Sequence, residues 1–224
     1  MKPRIDAETK FMEGLLEFNY GVDVTSKLNQ LAKKISWAKG WPEKKTSFWN
    51  AEAFMWDHKI NKEKRELVRS ELSFLFNIRG IKIQSTKERK NLDLGCGSYS
   101  YLPSVGFDIS EKMLAFNDHC REKIQGDIEQ HLPFKDEEFP SVTAVFVLNY
   151  VQNLSSLLSE IYRILKTNGY FIAVLSSKKL NDWQRQKEIS SFPAEKWIKI
   201  IKESGFKVKS YEKENLLFLK CRKC

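Results

Sequence analysis

Twenty residues in the middle of the chain constrain its fold more than any others: Asn91 to Ser110, NLDLGCGSYSYLPSVGFDIS. They read as a short apolar strand ending in Asp93, a glycine turn at Gly95 and Gly97, and a second short strand ending in Asp108. A glycine turn at a strand's carboxyl end exposes backbone that side chains would otherwise shield, so a ligand can approach closely. An acid at the tip of the following strand can accept hydrogen bonds from both hydroxyls of a ribose. The two features together predict a nucleoside-containing ligand. The spacing is unusual: only eight residues separate Gly97 from Gly106, whereas a crossover between parallel strands takes at least about 10–12 residues including its helix. Pro103 further limits any helix there. The first crossover is therefore expected to be a loop or single turn containing Tyr99, Tyr101 and Leu102.

Strands and helices alternate on the C-terminal side of this stretch. Strand candidates are Asn91–Leu94, Val105–Ile109, Lys123–Gly126, Val142–Leu148, Tyr170–Leu175, Phe206–Tyr211 and Leu216–Cys221. Between them, Asn153 is placed to cap a helix whose apolar positions are Leu154, Leu157, Leu158, Ile161, Ile164 and Leu165. Asn168-Gly169 reads as its C-terminal stop. Pro193 opens another helix, with Trp197, Ile200 and Ile201 facing inward and Gly205 ending it. This alternation predicts an α/β fold, a doubly wound and mostly parallel sheet of seven strands. Only Glu212–Asn215 separates the last two strands, so one of them runs antiparallel.

Residues 1–80 form a helical N-terminal extension and 81–224 the sheet domain. Within the extension, residues 6–36 show helical spacing (Phe11, Leu15, Leu16, Phe18, then Leu28, Leu31, Ile35), interrupted at Gly21. Gly40-Trp41-Pro42 is a break. Thr46 or Ser47 is placed to cap a second helix running to about Phe76, and Gly80 ends the unit.

Composition narrows the class. Net charge is +9 and uneven: residues 1–80 carry 15 basic and 11 acidic groups, 81–140 carry 8 and 11, and 141–224 carry 15 and 7. A basic last third could attract phosphates, although no arginine cluster sharpens that signal. No apolar run approaches the roughly 20 residues needed to span a bilayer, and the N-terminus lacks the apolar core of a secretory signal. With four cysteines in no regular framework, a reducing cytoplasm is the expected location.

The motifs LDLGCG at 92–97, GFDIS at 106–110, GDIEQHLPF at 126–134, VTAVFVLNYV at 142–151 and EIYRILKTNGYFIAV at 160–174 occur in one order. At these spacings the chain resembles the class I S-adenosylmethionine-dependent methyltransferases of the type 11 kind, over about Asn91–Cys221. The turn lacks the third glycine of a nicotinamide-dinucleotide fingerprint, with Ser100 in its place. The resemblance implies S-adenosylmethionine as cofactor. It implies that Gly95, Cys96 and Gly97 bring backbone to the methionine part, with Asp93 near its ammonium group and Tyr99 beside the turn. It places Asp108 on the ribose, Ile109 and Ile128 on the adenine faces and Asp127 on the adenine amino group. Leu148, Asn149 and Tyr150 would line the floor where the methyl group meets its acceptor. No catalytic base is implied, because the sulfonium carries the activation and the protein's task is positioning and water exclusion; His131 is a possible base near the rim.

The short crossover leaves one sheet face in need of another cover. The aromatic N-terminal segment is the candidate, with Trp49 and Trp56 expected over the acceptor pocket. The acceptor stays open between a small molecule and RNA: the turn followed by Tyr101-Leu102 is faintly similar to wobble-uridine tRNA methyltransferases, but Asn149-Tyr150 stand where those enzymes carry paired histidines. A non-enzymatic alternative, a degenerate partner subunit, is motivated by Tyr99 and the short crossover and opposed by Asp93, Gly95, Gly97 and Asp108. Cys221-Arg-Lys-Cys224 has metal-ligand spacing, but no second ligand pair accompanies it, so no metal is expected.

Overall fold

The computed structural model describes residues 6–56, 60–77, 91–176, 190 and 192–224. Seven strands form one sheet in the order β3-β2-β1-β4-β5-β7-β6. They are β1 (Asn91–Leu94), β2 (Ser104–Asp108), β3 (Cys120–Gln125), β4 (Phe139–Val145), β5 (Leu165–Ser176), β6 (Lys207–Lys213) and β7 (Leu216–Arg222). Every pairing from β3 to β5 is parallel, and β7 runs antiparallel to both β5 and β6. Strand order reverses at β1, whose carboxyl end opens between β2 and β4, the place where ligands bind in open α/β sheets.

The described helices are α1 (Ala7–Asn19), α2 (Thr25–Ala32), α3 (Lys45–Glu52), α4 (Lys62–Asn77), α5 (Glu111–Phe116), α6 (Leu154–Ile164) and α7 (Ala194–Glu203). Helix α6 starts where Asn153 Oδ1 accepts from Ser156 N at 3.0 Å. Its stripe of Leu154, Leu157, Leu158, Ile161 and Ile164 is buried against the sheet, each side chain worth roughly 1.5–3 kcal/mol. Helix α7 begins after Pro193 and adds Trp197 and Ile201 to the same core. On the other face α4 packs Val68, Leu72, Leu75 and Phe76 against Val145, Ile172, Val174 and Phe218.

That second face changes character at β1. Here the sheet presents Asn91, Asp93, Ser104, Ser141 and Thr143, all buried. Asn91 Nδ2 donates to Ser104 Oγ and Thr143 Oγ1 at 2.9 Å each, and Ser141 Oγ donates to Asn91 Oδ1 at 2.9 Å. The β1–β2 connection contains no helix, as its length requires. A polar network therefore stands where an apolar face would need a crossover helix, and Tyr101 and Leu102 of the connection join the α4 core instead.

Two sequence expectations are corrected. The single helix expected from Thr46 or Ser47 to Phe76 is broken: α3 ends at Glu52, residues 53–55 form a turn, and α4 runs Lys62–Asn77. Ser47 does not cap: its hydroxyl donates to Lys39 O at 2.7 Å, tying α3 to the preceding turn, and Lys44 stands at the cap position without a side-chain bond. Asn168-Gly169 does not stop α6. The helix ends at Ile164 because Leu165 is fully buried and already pairs with Phe139. Asn168, at φ 66°, instead lies within β5 where its pairing with β4 is irregular. Gly80 lies outside the described residues. Helices α1–α3 have a separate core built on Phe11, Leu28, Trp37 and Trp41.

Candidate functional site

The carboxyl ends of β1, β2 and β4 and one flank of α3 enclose a cleft of about 760 Å³, counting its open mouth. The turn after β1 is built on two left-handed glycines, Gly95 at φ 60° and Gly97 at φ 58°. They serve different ends. A Cβ on Gly95 would lie 2.7 Å from Val147 Cγ2, so glycine lets the turn close against the loop after β4. A Cβ on Gly97 would meet nothing nearer than 3.9 Å, where Met113 Sδ and Trp56 Nε1 stand. Gly97 thus presents bare backbone to the cleft.

Two buried carboxylates flank this turn. Asp108 accepts from Gly97 N at 2.9 Å and from Ser110 N at 2.8 Å, one bond to each oxygen. Asp93 accepts from Ser100 Oγ at 2.7 Å and Thr143 Oγ1 at 2.8 Å. Burial pushes each carboxyl up to about 6, against these hydrogen bonds. Each oxygen keeps a further acceptor position. Asn117 ties down the loop that replaces the crossover helix: Nδ2 donates to Gly97 O at 3.0 Å and to Ser100 Oγ at 3.2 Å, and Oδ1 accepts from Ser100 N at 3.3 Å.

Helix α3 closes one side. Lys45 Nζ bridges Asp127 Oδ1 at 2.9 Å and Glu129 Oε2 at 2.5 Å. One turn on, Asn50 accepts from Ser110 Oγ at 2.8 Å and donates to Trp37 O at 3.0 Å. Between these anchors Trp49 meets Tyr150 edge to face, centroids 5.0 Å apart, and Trp56 at 6.4 Å. Tyr99 is held against Tyr101 at 5.2 Å and His119 at 4.4 Å, with the Arg65 guanidinium 5.0 Å over its ring.

Of the residues singled out in the sequence, Asp93, Gly95, Cys96, Gly97, Tyr99, Asp108, Ile109, Asp127, Ile128, Tyr150, Trp49 and Trp56 all line this one cleft. Leu148 and Asn149 do not. The apolar run predicts β4 through Leu148, but the strand ends at Val145 and Phe146 turns left-handed at φ 58°. The alternation of faces is lost there, and Leu148–Tyr150 forms a short 3-10 turn. Leu148 enters the core, and Asn149 donates to Ser190 O at 3.0 Å. Val145, Phe146, Val147 and Val151 line the cleft instead. Lys45, Met113, Asn50 and Asn117 were not singled out; the side-chain bonds of Lys45 and Asn50, and those of Asn117 to the glycine turn, reach 13 to 84 positions along the sequence, and no local pattern marks such contacts. His131 lies outside the cleft, mostly exposed and 3.0 Å from Glu160. Cys221 is buried in the core and Cys224 is exposed. Among the described residues no group of three or more His, Cys, Asp and Glu is placed to hold a metal ion.

Residues 92–173 match the family model of a methyltransferase domain. An uncharacterized protein of Methanocaldococcus jannaschii is 35% identical over 119 residues, 50% of each chain. A demethylmenaquinone methyltransferase of Lactobacillus johnsonii is 38% identical over 74 residues, 29% of this chain and 30% of that one. The chain spans about half the length of the first of these relatives and less of the second. A SAM-dependent methyltransferase from Archaeoglobus fulgidus has the same fold, with a TM-score of 0.56 at 19% identity over 71% of this chain and 94% of that one. With the glycine turn, the two acids and the strand order in place, residues 92–173 thus carry a methyltransferase domain.

Proposed function

We propose that this protein transfers a methyl group from S-adenosylmethionine to a small-molecule acceptor bound under α3. The cofactor's requirements fit the residues present. Gly97 offers backbone with open space in front of it. Asp108 has the acceptor positions for two ribose hydroxyls. Asp93, fully buried with its carboxyl raised by burial, is suited to a cationic amino group, which would restore the favourable environment that burial removed. Ile109 and Ile128 provide apolar faces for a purine, and Asp127 keeps Oδ2 for its amino group. The bound cofactor supplies an activated methyl on a sulfonium; the chain's part is to hold the reactants in line and keep water out.

The observation that carries the small-molecule reading is the aromatic lining: Trp49, Trp56, Tyr150 and Tyr99 all line the cleft, and Trp49 meets Trp56 and Tyr150 edge to face. Such walls suit an apolar or aromatic acceptor of modest size and leave little room for a polynucleotide. The relative from Lactobacillus johnsonii named for demethylmenaquinone is consistent with an acceptor of that chemistry.

The test is to incubate the protein with methyl-labelled S-adenosylmethionine and a total cell extract that retains metabolites, lipids and RNA. Label in the low-mass or lipid fraction, reduced at least tenfold by Trp49→Ala, is the expected result. Label confined to RNA, unaffected by Trp49→Ala, would overturn the small-molecule reading in favour of the RNA alternative.

A further inference from the structure

Cys96 sits between the two glycines of the turn and lines the cleft. Cys120 opens β3, half-buried. They are far apart in sequence but converge on one point. Gly106 of β2 pairs with Asp93 on one side and Lys123 on the other. The register between β2 and β3 shifts at Ser104/Val105, and this displacement carries Cys120 back over Gly106. A Cβ on Gly106 would lie 2.3 Å from Cys120 Sγ and 2.9 Å from Cys96 Sγ. The two sulfurs therefore share the space that any side chain at Gly106 would occupy. The pair is wired to the cofactor cleft: Cys120 Sγ is 3.1 Å from Ser100 Oγ, which is itself bonded to Asp93 at 2.7 Å.

We propose that Cys96 and Cys120 form a reversible disulfide that fixes the glycine turn to β3 and weakens cofactor binding. The half-buried Cys120 is the attacking group. Its thiol is held below the usual range chiefly by a hydrogen bond from Cys96, with Ser100 adding to the effect and burial opposing it; thiolate character makes it the better nucleophile. The Cys120 thiolate attacks a low-molecular-weight disulfide, forms a mixed disulfide and expels one small thiolate. Cys96 then loses its proton and attacks Cys120 Sγ, expelling the second. Two protein thiols and one small disulfide become one protein disulfide and two small thiols; the protein pair is oxidised and the small disulfide reduced. The new bond takes Cys120 away from Ser100, and so removes a partner from the group that holds Asp93. It also constrains Cys96, whose neighbours Gly95 and Gly97 form the cofactor cradle. This effect on affinity rests on the cofactor seat proposed above, whereas the cross-link does not.

The experiment uses the full chain carrying Cys224→Ser, to remove the exposed thiol, treated with oxidised glutathione. Peptide mass spectrometry is expected to show a Cys96–Cys120 cross-link. Calorimetric affinity for S-adenosylmethionine should fall at least about fivefold, the lower end of usual coupling between sites, and recover with dithiothreitol. The same chain carrying Cys120→Ser should show neither change. A persistent glutathione adduct on Cys120, or no reaction at either sulfur, overturns the cross-link. A cross-link that leaves affinity unchanged overturns its regulatory effect. Absence of cofactor binding by the reduced protein would instead refute the cofactor seat, and the mass readout would still decide the cross-link.

Discussion

At the scale of single residues the site is governed by two carboxylates that burial has made costly. Asp93 and Asp108 both titrate near 6 in the folded chain against 3.8 when free. The folded state therefore holds protons between about pH 4 and 6 that the unfolded chain has released, so each acid makes the fold less stable as pH rises through that window. A shift of this size is on the order of 2–3 kcal/mol. Asp93→Asn, which keeps its hydroxyl neighbours, is expected to raise the melting temperature at pH 7 and to flatten the pH dependence of stability between 4 and 6. The same substitution should weaken S-adenosylmethionine binding at least tenfold, because an amide cannot balance the cofactor's amino group. For the unmodified protein, cofactor affinity should rise as pH increases through about 6, with proton release detectable by calorimetry in buffers of different ionisation enthalpy. Uptake of protons, or affinity independent of pH from 5 to 8, would contradict this account of the acids.

Both acids were legible because each ends a short apolar strand beside a glycine turn. Lys45, Asn50 and Asn117 were not, because a lysine or asparagine has no local signature when its partner comes from another part of the chain.

At the scale of elements, α3 is the piece that turns an open cleft into a closed one, and its two anchors differ in weight. Lys45 is partly exposed in its ion pairs with Asp127 and Glu129, where such contacts contribute about 0–1 kcal/mol. Asn50 is buried, and its removal would leave Trp37 O and the Ser110 hydroxyl short of a partner, a penalty of about 1–3 kcal/mol. Asn50→Ala is thus expected to lower the urea midpoint clearly, and Lys45→Met to leave it nearly unchanged. Equal effects would mean that α3 is held chiefly by electrostatics.

The boundaries of α3 escaped the sequence because Ser47 looks like a cap, while its hydroxyl is committed to Lys39 O. The β4 end escaped for a related reason: alternation of apolar residues continues past Val145, and nothing in FVLNY announces the left-handed Phe146. By contrast, the absence of a helix between β1 and β2 was legible from chain length and Pro103 alone, since geometry left no alternative.

At the scale of the whole molecule, three cores among the described residues divide the work. One face of the sheet is sealed by α6 and α7, and the other by α4 with Tyr101 and Leu102. Helices α1–α3 form a third cluster beside the cleft. Leu72→Ala, fully buried in the α4 core, should cost about 2–5 kcal/mol, measured by denaturant unfolding, because α4 covers the sheet face beside the polar network at β1.

A mostly parallel, seven-stranded sheet with an antiparallel end was legible from the run of strand and helix patterns, each a local signal, whereas the order of its strands was not. The N-terminal helices are held to the site by long-range contacts, so their position over it could be argued only from the cover the short crossover required. The proposed chemistry requires the cleft to be an S-adenosylmethionine seat built on Gly97 and Asp108. Titration calorimetry of the full chain with S-adenosylmethionine tests that claim most directly. The prediction is one site of micromolar affinity, weakened at least tenfold by Asp108→Asn in a variant with unchanged circular dichroism; absence of binding by the folded unmodified protein, or equal affinity in the variant, would contradict it.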